Sequence, residues 1–170
     1  MHLPDFLKED WMKKTDIRLS TDDEIASLLE IIITAYTPIE FILGRKPRGM
    51  LETSEKIKER IDNGTIYSIL FEGELIGTFT IKRNEKYNLM EVQKVAVKQK
   101  MQNKGFGSFI METAEHLVRL MEERKIIIET YEDHKQLVDF YLHRGYKTID
   151  QKERKGNIVL TMEKKLWRED

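Results

Sequence analysis

The segment from Val95 to Ser108 contains residue types that suit the binding of an anion. It reads V-A-V-K-Q-K-M-Q-N-K-G-F-G-S, a β-branched strand followed by a loop with Gly105 and Gly107, after which a long helix begins. Glycines let a backbone approach a ligand closely, and a helix N-terminus offers unpaired amides and the positive end of the helix dipole. Three basic residues add positive charge: Lys98, Lys100 and Lys104. The pattern predicts a pyrophosphate site, although two glycines can also simply shape a tight turn.

The loop differs from two common nucleotide-binding loops. No Gly-Lys-[Ser/Thr] sequence ends it, as a P-loop requires, and a dinucleotide-binding loop would need a third glycine after Gly107. ATP and NAD are therefore disfavoured as ligands.

Two motifs together resemble those of the GNAT superfamily of N-acetyltransferases. Residues 102–107 (Q-N-K-G-F-G) are similar to its coenzyme A loop, [Q/R]-x-x-G-x-[G/A], and the preceding V-A-V is similar to its central strand. Residues 140–146 (F-Y-L-H-R-G-Y) resemble its second signature, F-Y-x-x-x-G-[F/Y]. The two motifs occur in the expected order, each on the expected type of element.

The resemblance implies an α/β fold with a mixed, mostly antiparallel sheet, flanked by helices and splayed between the strands at 89–97 and 126–130. Acetyl-CoA would lie in that opening as co-substrate. Backbone groups of Val95 and Val97 would pair with its pantetheine arm like an added strand, and amides of the glycine loop would hold its pyrophosphate. The implied cofactor-binding residues are Val95, Ala96, Val97, Gln102, Asn103, Lys104, Gly105, Phe106, Gly107, Ser108, His134 and Tyr141.

The same resemblance implies catalytic roles for two residues. Tyr141 would protonate the departing thiolate, which a phenol with a pKa near 10 can do at neutral pH; the alternative is a half-buried helix tyrosine packed like Phe140. Many relatives use a glutamate on the central strand as general base, but Gln93 occupies that position. Glu91, on the same strand face, could act through water or be an ordinary exposed acid. Some relatives need no dedicated base.

His134 lies where the family often has an asparagine that binds the pantetheine arm. An imidazole could replace that hydrogen bond, or it could simply be a surface residue. The other histidines, His2, His116 and His143, show no metal-ligand spacing, and no metal is expected.

The elements that must position these residues follow the order β-α-α-β-β-β-α-β-α-β-β. Apolar periodicity predicts a helix over 22–36, ended by Thr37-Pro38, and a loop over 37–51. Glu72-Gly73 predicts a hairpin turn, residues 105–124 a long helix, and Asp133 the cap of a helix that ends at His143. We expect one domain over 15–170, preceded by an extension over 1–14.

The loop over 44–50 (G-R-K-P-R-G-M) is similar to a G-R-x-P-x-P-M pattern in a microbial subgroup of these acetyltransferases, with Gly49 in place of the second proline. In this family the acceptor site is built largely by this region. Three cations there could attract an acidic group or be solvated: Arg45, Lys46 and Arg48. Three acids could instead favour a cationic amine: Glu40, Glu52 and Glu91. The sign of the acceptor's charge stays open.

Composition excludes several other classes. The 170 residues contain no cysteine, which excludes disulfide scaffolds, cysteine-bound metals and thiol nucleophiles and fits direct transfer. With 29 Lys and Arg against 30 Asp and Glu, the net charge of −1 argues against an overall basic nucleic-acid binder. No segment is predicted to reach the roughly 20 apolar residues of a membrane span. The N-terminus carries acids and lacks the apolar core of a signal peptide, so we expect a cytoplasmic protein.

We therefore expect an enzyme that moves an acetyl group from acetyl-CoA directly to a primary amine. The acceptor would be a small, polyamine-like molecule or a protein N-terminus or lysine. Two alternatives are a non-catalytic acyl-CoA-binding sensor, which Gln93 favours, and an interaction module that uses the N-terminal extension. A homodimer through the last strands is also expected from the resemblance.

Overall fold

Seven strands form one sheet in the computed structural model, which describes residues 13–167. The strands are β1 (Thr15–Leu19), β2 (Ile66–Phe71), β3 (Glu74–Asn84), β4 (Leu89–Val97), β5 (Lys125–Tyr131), β6 (Lys147–Arg154) and β7 (Asn157–Lys165). Their order is β1-β2-β3-β4-β5-β7-β6. All neighbours are antiparallel except β4 and β5, which confirms the predicted mixed sheet. Most of the predicted extension over 1–14 lies outside the described residues, so it stays a prediction.

Four helices cover the two faces of this sheet. They are α1 (Ile25–Leu43), α2 (Ser54–Asp62), α3 (Phe106–Leu120) and α4 (Lys135–His143), joined partly by short 3-10 turns. Apolar residues of α1 and α2 share one core with Ala96, whereas α3 and α4 share another with the neighbouring Val95 and Val97. Because successive strand residues point to opposite faces, the two helix pairs lie on opposite sides of β4.

The sheet opens between its two parallel strands. Only two residue pairs join β4 to β5, Met90 with Ile126 and Glu91 with Ile127, although the strands are 9 and 7 residues long. Beyond Glu91, the edge of β4 that faces β5 has no strand partner among the described residues. The predicted splay is therefore confirmed.

Helix α1 continues past Pro38, so the predicted end at Thr37-Pro38 and the loop from residue 37 are wrong. Proline removes one amide donor and crowds the preceding turn, but it does not always end a helix. Here the Thr37 Oγ1 donates to the Ile33 carbonyl at 2.9 Å, and Ile39 packs into the interior at 9% exposure. The helix ends instead at Gly44, whose left-handed φ of 69° is typical of a helix C-terminus.

This longer helix also corrects the expectation about apolar segments. Residues 22–43 have a mean hydropathy of 1.6 over their most apolar window, and by length and composition they could cross a membrane. This is weak evidence for a membrane span, because helices that pack on a protein core meet the same criterion. Leu28 and Ile32 of this helix are fully buried in the core that it shares with the sheet.

The chain turns after β2 and after α3 are set by left-handed residues. Glu72 and Gly73 have φ values of 51° and 80°, the type I′ geometry expected for the predicted hairpin. Helix α3 ends at Leu120, earlier than predicted, and Glu122 just beyond it has a φ of 62°.

Candidate functional site

A cavity of about 830 Å³ lies where β4 and β5 separate. Residues on both faces of the sheet line this cavity, so it extends through the gap between β4 and β5. Residues that reach it from the α1 and α2 side include Tyr36, Glu52 and Arg60, and those from the α3 and α4 side include Gly107, Met111, Phe140 and Tyr141. Apolar and charged side chains both line this cavity, and its volume is in the range that small-molecule sites have.

Of the predicted loop residues 102–108, only Gly107 lines this cavity, and the two glycines of the loop differ in what they require. Gly105 has a φ of 89°, a backbone conformation that disfavours any side chain, and it begins α3 without a side-chain cap. Gly107 has no such constraint, because a Cβ atom there would meet only the Phe140 Cζ at 4.0 Å. Neither backbone nor packing requires a glycine at 107, so the open space at this cavity wall suits the close approach of a ligand.

The loop is tied to the strand that precedes it. The Gln102 Nε2 donates to the Val97 carbonyl at 3.2 Å, which joins the loop to the free part of β4. The side chain of Phe106 is 4% exposed and packs edge-to-face on Phe71, so it is not available to a cofactor. Of the expected loop cations, Lys98 and Lys100 both bind Glu74, at 3.3 and 2.7 Å, which reduces the positive charge that they offer.

The surroundings of Tyr141 are compatible with both a packing role and a proton-donating role. Its ring is 6% exposed and packs edge-to-face against Phe140 and Tyr146. The residue also lines the cavity, and within residues 13–167 its hydroxyl has no hydrogen-bond partner. Burial raises its pKa to about 12, against a smaller opposing effect of Arg144. The phenol is therefore protonated at neutral pH and able to donate a proton into the cavity.

Glu91 is not the ordinary exposed acid of the alternative interpretation. It is 5% exposed, lines the cavity, and accepts a hydrogen bond from the Asn84 Nδ2 at 2.9 Å. It lies at the last register where β4 and β5 pair, so the sheet opens directly beyond it. Gln93 lines the same cavity two residues further on.

His134, rather than Asp133, is the N-cap of α4, so the predicted cap is wrong. The His134 Nδ1 accepts a hydrogen bond from the Leu137 amide at 3.2 Å, whereas Asp133 accepts one from the Asn157 Nδ2. Burial lowers the pKa of His134. The ring is therefore neutral at physiological pH, with its proton on Nε2, and it lines the cavity as a hydrogen-bond donor.

A bulge in β4 brings an unexpected lysine into the cavity. Pairing with β3 passes from Thr80–Gln93 to Thr78–Ala96, so β4 contains one extra residue in this interval, and Lys94 has a φ of 52°. Lys94 is half-buried, lines the cavity and makes no hydrogen bond or ion pair with any described residue. Burial lowers its pKa to about 8. No sequence pattern singles out this residue, because a bulge has no reliable sequence signature.

The loop over 44–50, which the resemblance assigns to the acceptor site (the acceptor loop), is held in place by one of its own cations. Arg45 donates to the Asn157 Oδ1 at 2.7 Å and to the Arg154 carbonyl at 2.6 Å, and its guanidinium lies 5.7 Å from the centre of the Tyr131 ring. The Arg48 amide also donates to the Tyr131 hydroxyl at 3.3 Å. Arg45 is thus a structural contact, not a free group for an acidic substrate.

Among the predicted acceptor acids, Glu52 is buried and bound to Arg60, whose Nη2 donates to its Oε2. No cluster of three or more potential metal ligands occurs in the part of the chain that the structure describes.

Several solved acetyltransferases share this fold. PaiA N-acetyltransferase from Thermoplasma acidophilum, in complex with coenzyme A, has a TM-score of 0.71 at 19% identity, over 89% of this chain and 98% of that one. A GNAT-family acetyltransferase from Streptococcus agalactiae has a TM-score of 0.75 at 16% identity, over 92% and 96%. A chimera of spermidine N-acetyltransferase SpeG from Vibrio cholerae and hSSAT has a TM-score of 0.70 at 14% identity, over 90% and 96%. These identities show a common fold and no more.

Comparison of the sequence with family profiles identifies one family. No curated protein matches the chain significantly. The profile of the Acetyltransferase (GNAT) family matches residues 25–146, which run from the start of α1 through the glycine loop to the end of the second motif. Because that match covers well over half of the sequence and the fold agrees with it, the chain belongs to the GNAT family of acetyltransferases.

Proposed function

We propose that the protein is an N-acetyltransferase that moves an acetyl group from acetyl-CoA directly to a primary amine. The observation that carries the proposal is that Gly107 of the glycine loop, Val95 on the unpaired part of β4 and Tyr141 all line one cavity. The coenzyme A in the PaiA structure supports the choice of cofactor.

The residues at the cavity fit this cofactor. The space beside Gly107 and the uncapped first turn of α3 suit a pyrophosphate, and the free edge of β4 at Val95–Val97 suits an amide-containing arm. The neutral His134 can donate a hydrogen bond from Nε2 to the same arm.

Acetyl-CoA would supply the acetyl group as a thioester that an amine can attack directly. Tyr141 would give its proton to the departing sulfur, and backbone donors near Val97 would stabilise the developing charge on the carbonyl oxygen. Glu91 would take a proton from the amine through water; its buried position at the sheet opening supports this role. Holding the reactants together in one cavity supplies the remaining acceleration.

The second candidate is a sensor that binds acyl-CoA without turnover. Gln93 supports it, because an amide at the position where many relatives have an acid cannot accept a proton usefully. The acceptor classes within the enzyme proposal are a polyamine-like molecule or a protein N-terminus or lysine, and the likeness to a spermidine N-acetyltransferase supports the first. A cytoplasmic location and a homodimer stay predictions.

The test is an amine screen that measures release of coenzyme A from acetyl-CoA. Polyamines, amino acids, amino sugars and peptides with free N-termini are offered to the full chain, and acetyl-CoA binding is measured separately by calorimetry. Rapid amine-dependent release supports the enzyme. Tight binding with no amine-dependent release favours the sensor, and absence of acetyl-CoA binding contradicts both proposals.

A further inference from the structure

The cavity walls are richer in positive than in negative charge. Seven lysine and arginine side chains line it, against four glutamates, among residues 13–167. The cations are Arg48, Lys56, Arg60, Lys82, Arg83, Lys94 and Arg154, and the acids are Glu52, Glu59, Glu91 and Glu129. This excess matters only if the charges are not already neutralised by one another.

Ion pairs hold two of the four acids, Glu52 and Glu129. Glu129 accepts from the Lys152 Nζ at 2.8 Å and lies 3.5 Å from the Arg154 Nη2. Glu59 is exposed, where solvent screens its charge. Glu91, which accepts a hydrogen bond from an uncharged amide, is therefore the one buried acid of the described cavity wall that has no ion pair.

Lys94 is the cation that most lacks a partner. It is half-buried and makes no hydrogen bond or ion pair with any described residue. Three arginines of the same wall are each bound to a glutamate: Arg60, Arg83 and Arg154. A half-buried ammonium group without a bound carboxylate is poorly compensated, and an anion in the cavity would supply the missing partner.

Glu52 supplies the complementary group. Its side chain is 1% exposed, and its Oε1 accepts no hydrogen bond from the described residues, although Oε2 is bound by Arg60. Glu52 and Lys94 line the same cavity and form no ion pair with each other. One wall thus offers a free carboxylate oxygen, and the neighbouring strand offers a free ammonium group.

We propose that the acceptor is a small amine that also carries an anionic group, as an amino acid does, with the anion bound by Lys94 and the amine received beside the Glu52 Oε1. The proposal rests on the proposed transfer of an acetyl group to a primary amine, and it replaces the polyamine-like acceptor with a different class. It selects against polyamines, because they carry no anionic group and would leave Lys94 without a partner.

The test compares acceptors that share an amine but differ in charge. Each free amino acid is compared with its α-amide, which lacks the carboxylate. Aminoalkyl phosphonates are included as amines with a different anionic group, and spermidine as an amine with none. The amide's amine is less basic and intrinsically more available at pH 7.5, so a preference for the free acid must come from the protein. We expect kcat/KM to favour the acid about 10-fold to 100-fold, the usual worth of a hydrogen bond to a charged group.

Three variants test whether Lys94 causes the preference for the free acid. Lys94→Met should abolish it through a raised KM for the acid, with acetyl-CoA affinity unchanged, whereas Lys94→Arg should keep most of it. Lys147→Met removes an exposed lysine on β6 outside the cavity wall and should change nothing.

Each outcome decides the matter. Equal or better use of the amide or of spermidine by the native protein overturns the inference and leaves the N-acetyltransferase proposal standing. An unchanged preference in Lys94→Met also overturns the assignment of this residue. If no amine in the panel causes release of coenzyme A, the proposed function fails and this inference fails with it. The comparison in the native protein decides the acceptor class even if Lys94→Met does not fold.

Discussion

The backbone of Gly49 lies against the face of the Tyr36 ring. A Cβ atom at position 49 would stand 2.5 Å from the Cγ and Cδ1 of that ring, far inside van der Waals contact. Gly49 belongs to the 3-10 turn Arg48–Leu51, and Tyr36 belongs to α1 and lines the cavity. The contact therefore joins the acceptor loop to an aromatic side chain of the site.

Gly49→Ala should disturb the acceptor side of the cavity. Because the added methyl group and the ring cannot occupy the same space, either the loop or Tyr36 must move, at a cost of about 1–3 kcal/mol of unfolding free energy. We expect a raised KM for the amine with little change in acetyl-CoA affinity. Chemical denaturation and steady-state kinetics measure the two effects. In a double-mutant cycle with Tyr36→Leu, strictly additive losses would show that this contact is not the cause.

Gly107→Val should abolish acetyl-CoA binding without unfolding the protein. The space around position 107 accepts a side chain, so the loss should come from the ligand's side alone. Gly105→Ala is the matched variant: its φ of 89° predicts a loss of about 1–2 kcal/mol in stability. Calorimetry and thermal unfolding separate the two. Unchanged affinity in Gly107→Val would contradict the assignment of the loop.

Tyr141→Phe should lower kcat while leaving the fold intact. The hydroxyl has no partner among residues 13–167, so its removal costs little stability, whereas loss of a general acid typically costs roughly 10²–10⁴-fold in rate. With its pKa raised to about 12 by burial, Tyr141 should impose no loss of activity below about pH 11 in the native protein. Full turnover in Tyr141→Phe, measured by release of coenzyme A, would remove it from the mechanism.

His134 has two separable roles, a helix cap and a donor to the cofactor. His134→Ala should lose both, with about 1 kcal/mol of stability and a weaker affinity for acetyl-CoA. His134→Asn should restore both, because asparagine caps helices well and keeps a side-chain donor. Thermal unfolding and calorimetry test the pair; equal acetyl-CoA affinity in the alanine variant would limit His134 to capping.

Lys94 should lower the stability of the protein at neutral pH. Its pKa is about 8 in the fold and 10.5 as a free side chain, so between these values the unfolded chain binds more protons and stability rises with pH. Lys94→Met should therefore be more stable than the native protein at pH 7, by about 1–3 kcal/mol, with a difference that shrinks between pH 8 and 10.5.

Lys94→Arg provides the control for this effect, because an arginine stays charged throughout that pH range. It should show no such gain and no dependence on pH from this site. Denaturant unfolding at several pH values measures all three proteins, and a native protein as stable as Lys94→Met at pH 7 would contradict the prediction.

The parts of this protein that follow from local pattern were predictable. Helical periodicity and turn residues predicted the order of the elements. The resemblance carried by two motifs predicted a cofactor site, and Gly107, Phe140 and Tyr141 of those motifs line one cavity. The prediction that Thr37-Pro38 ends the helix was wrong, because a proline removes only one backbone donor and the residues after it, such as Ile39, are buried by tertiary packing. The prediction that Asp133 caps α4 was wrong because both Asp133 and His134 can cap a helix, and the tertiary contact of Asp133 with Asn157 leaves His134 as the cap.

The acceptor side depends on contacts that no local pattern records. Arg45 meets Asn157 across 112 residues of sequence, which removes it from the expected set of substrate-binding cations. Lys94 enters the cavity only because the β3–β4 register slips at the bulge. The charge that we propose for the acceptor could therefore be inferred only from the pairing of side chains in three dimensions.

The cavity that crosses the sheet also bears on the order of events in a catalytic cycle. Its α3 and α4 wall carries the proposed cofactor contacts, Gly107 and Tyr141, and its α1 and α2 wall carries Tyr36 and Glu52 on the acceptor side. The two substrates would therefore approach from opposite faces of one sheet and need not exchange places. A ternary complex is the natural kinetic species for such an arrangement, and the donor and acceptor would compete for neither entry nor exit.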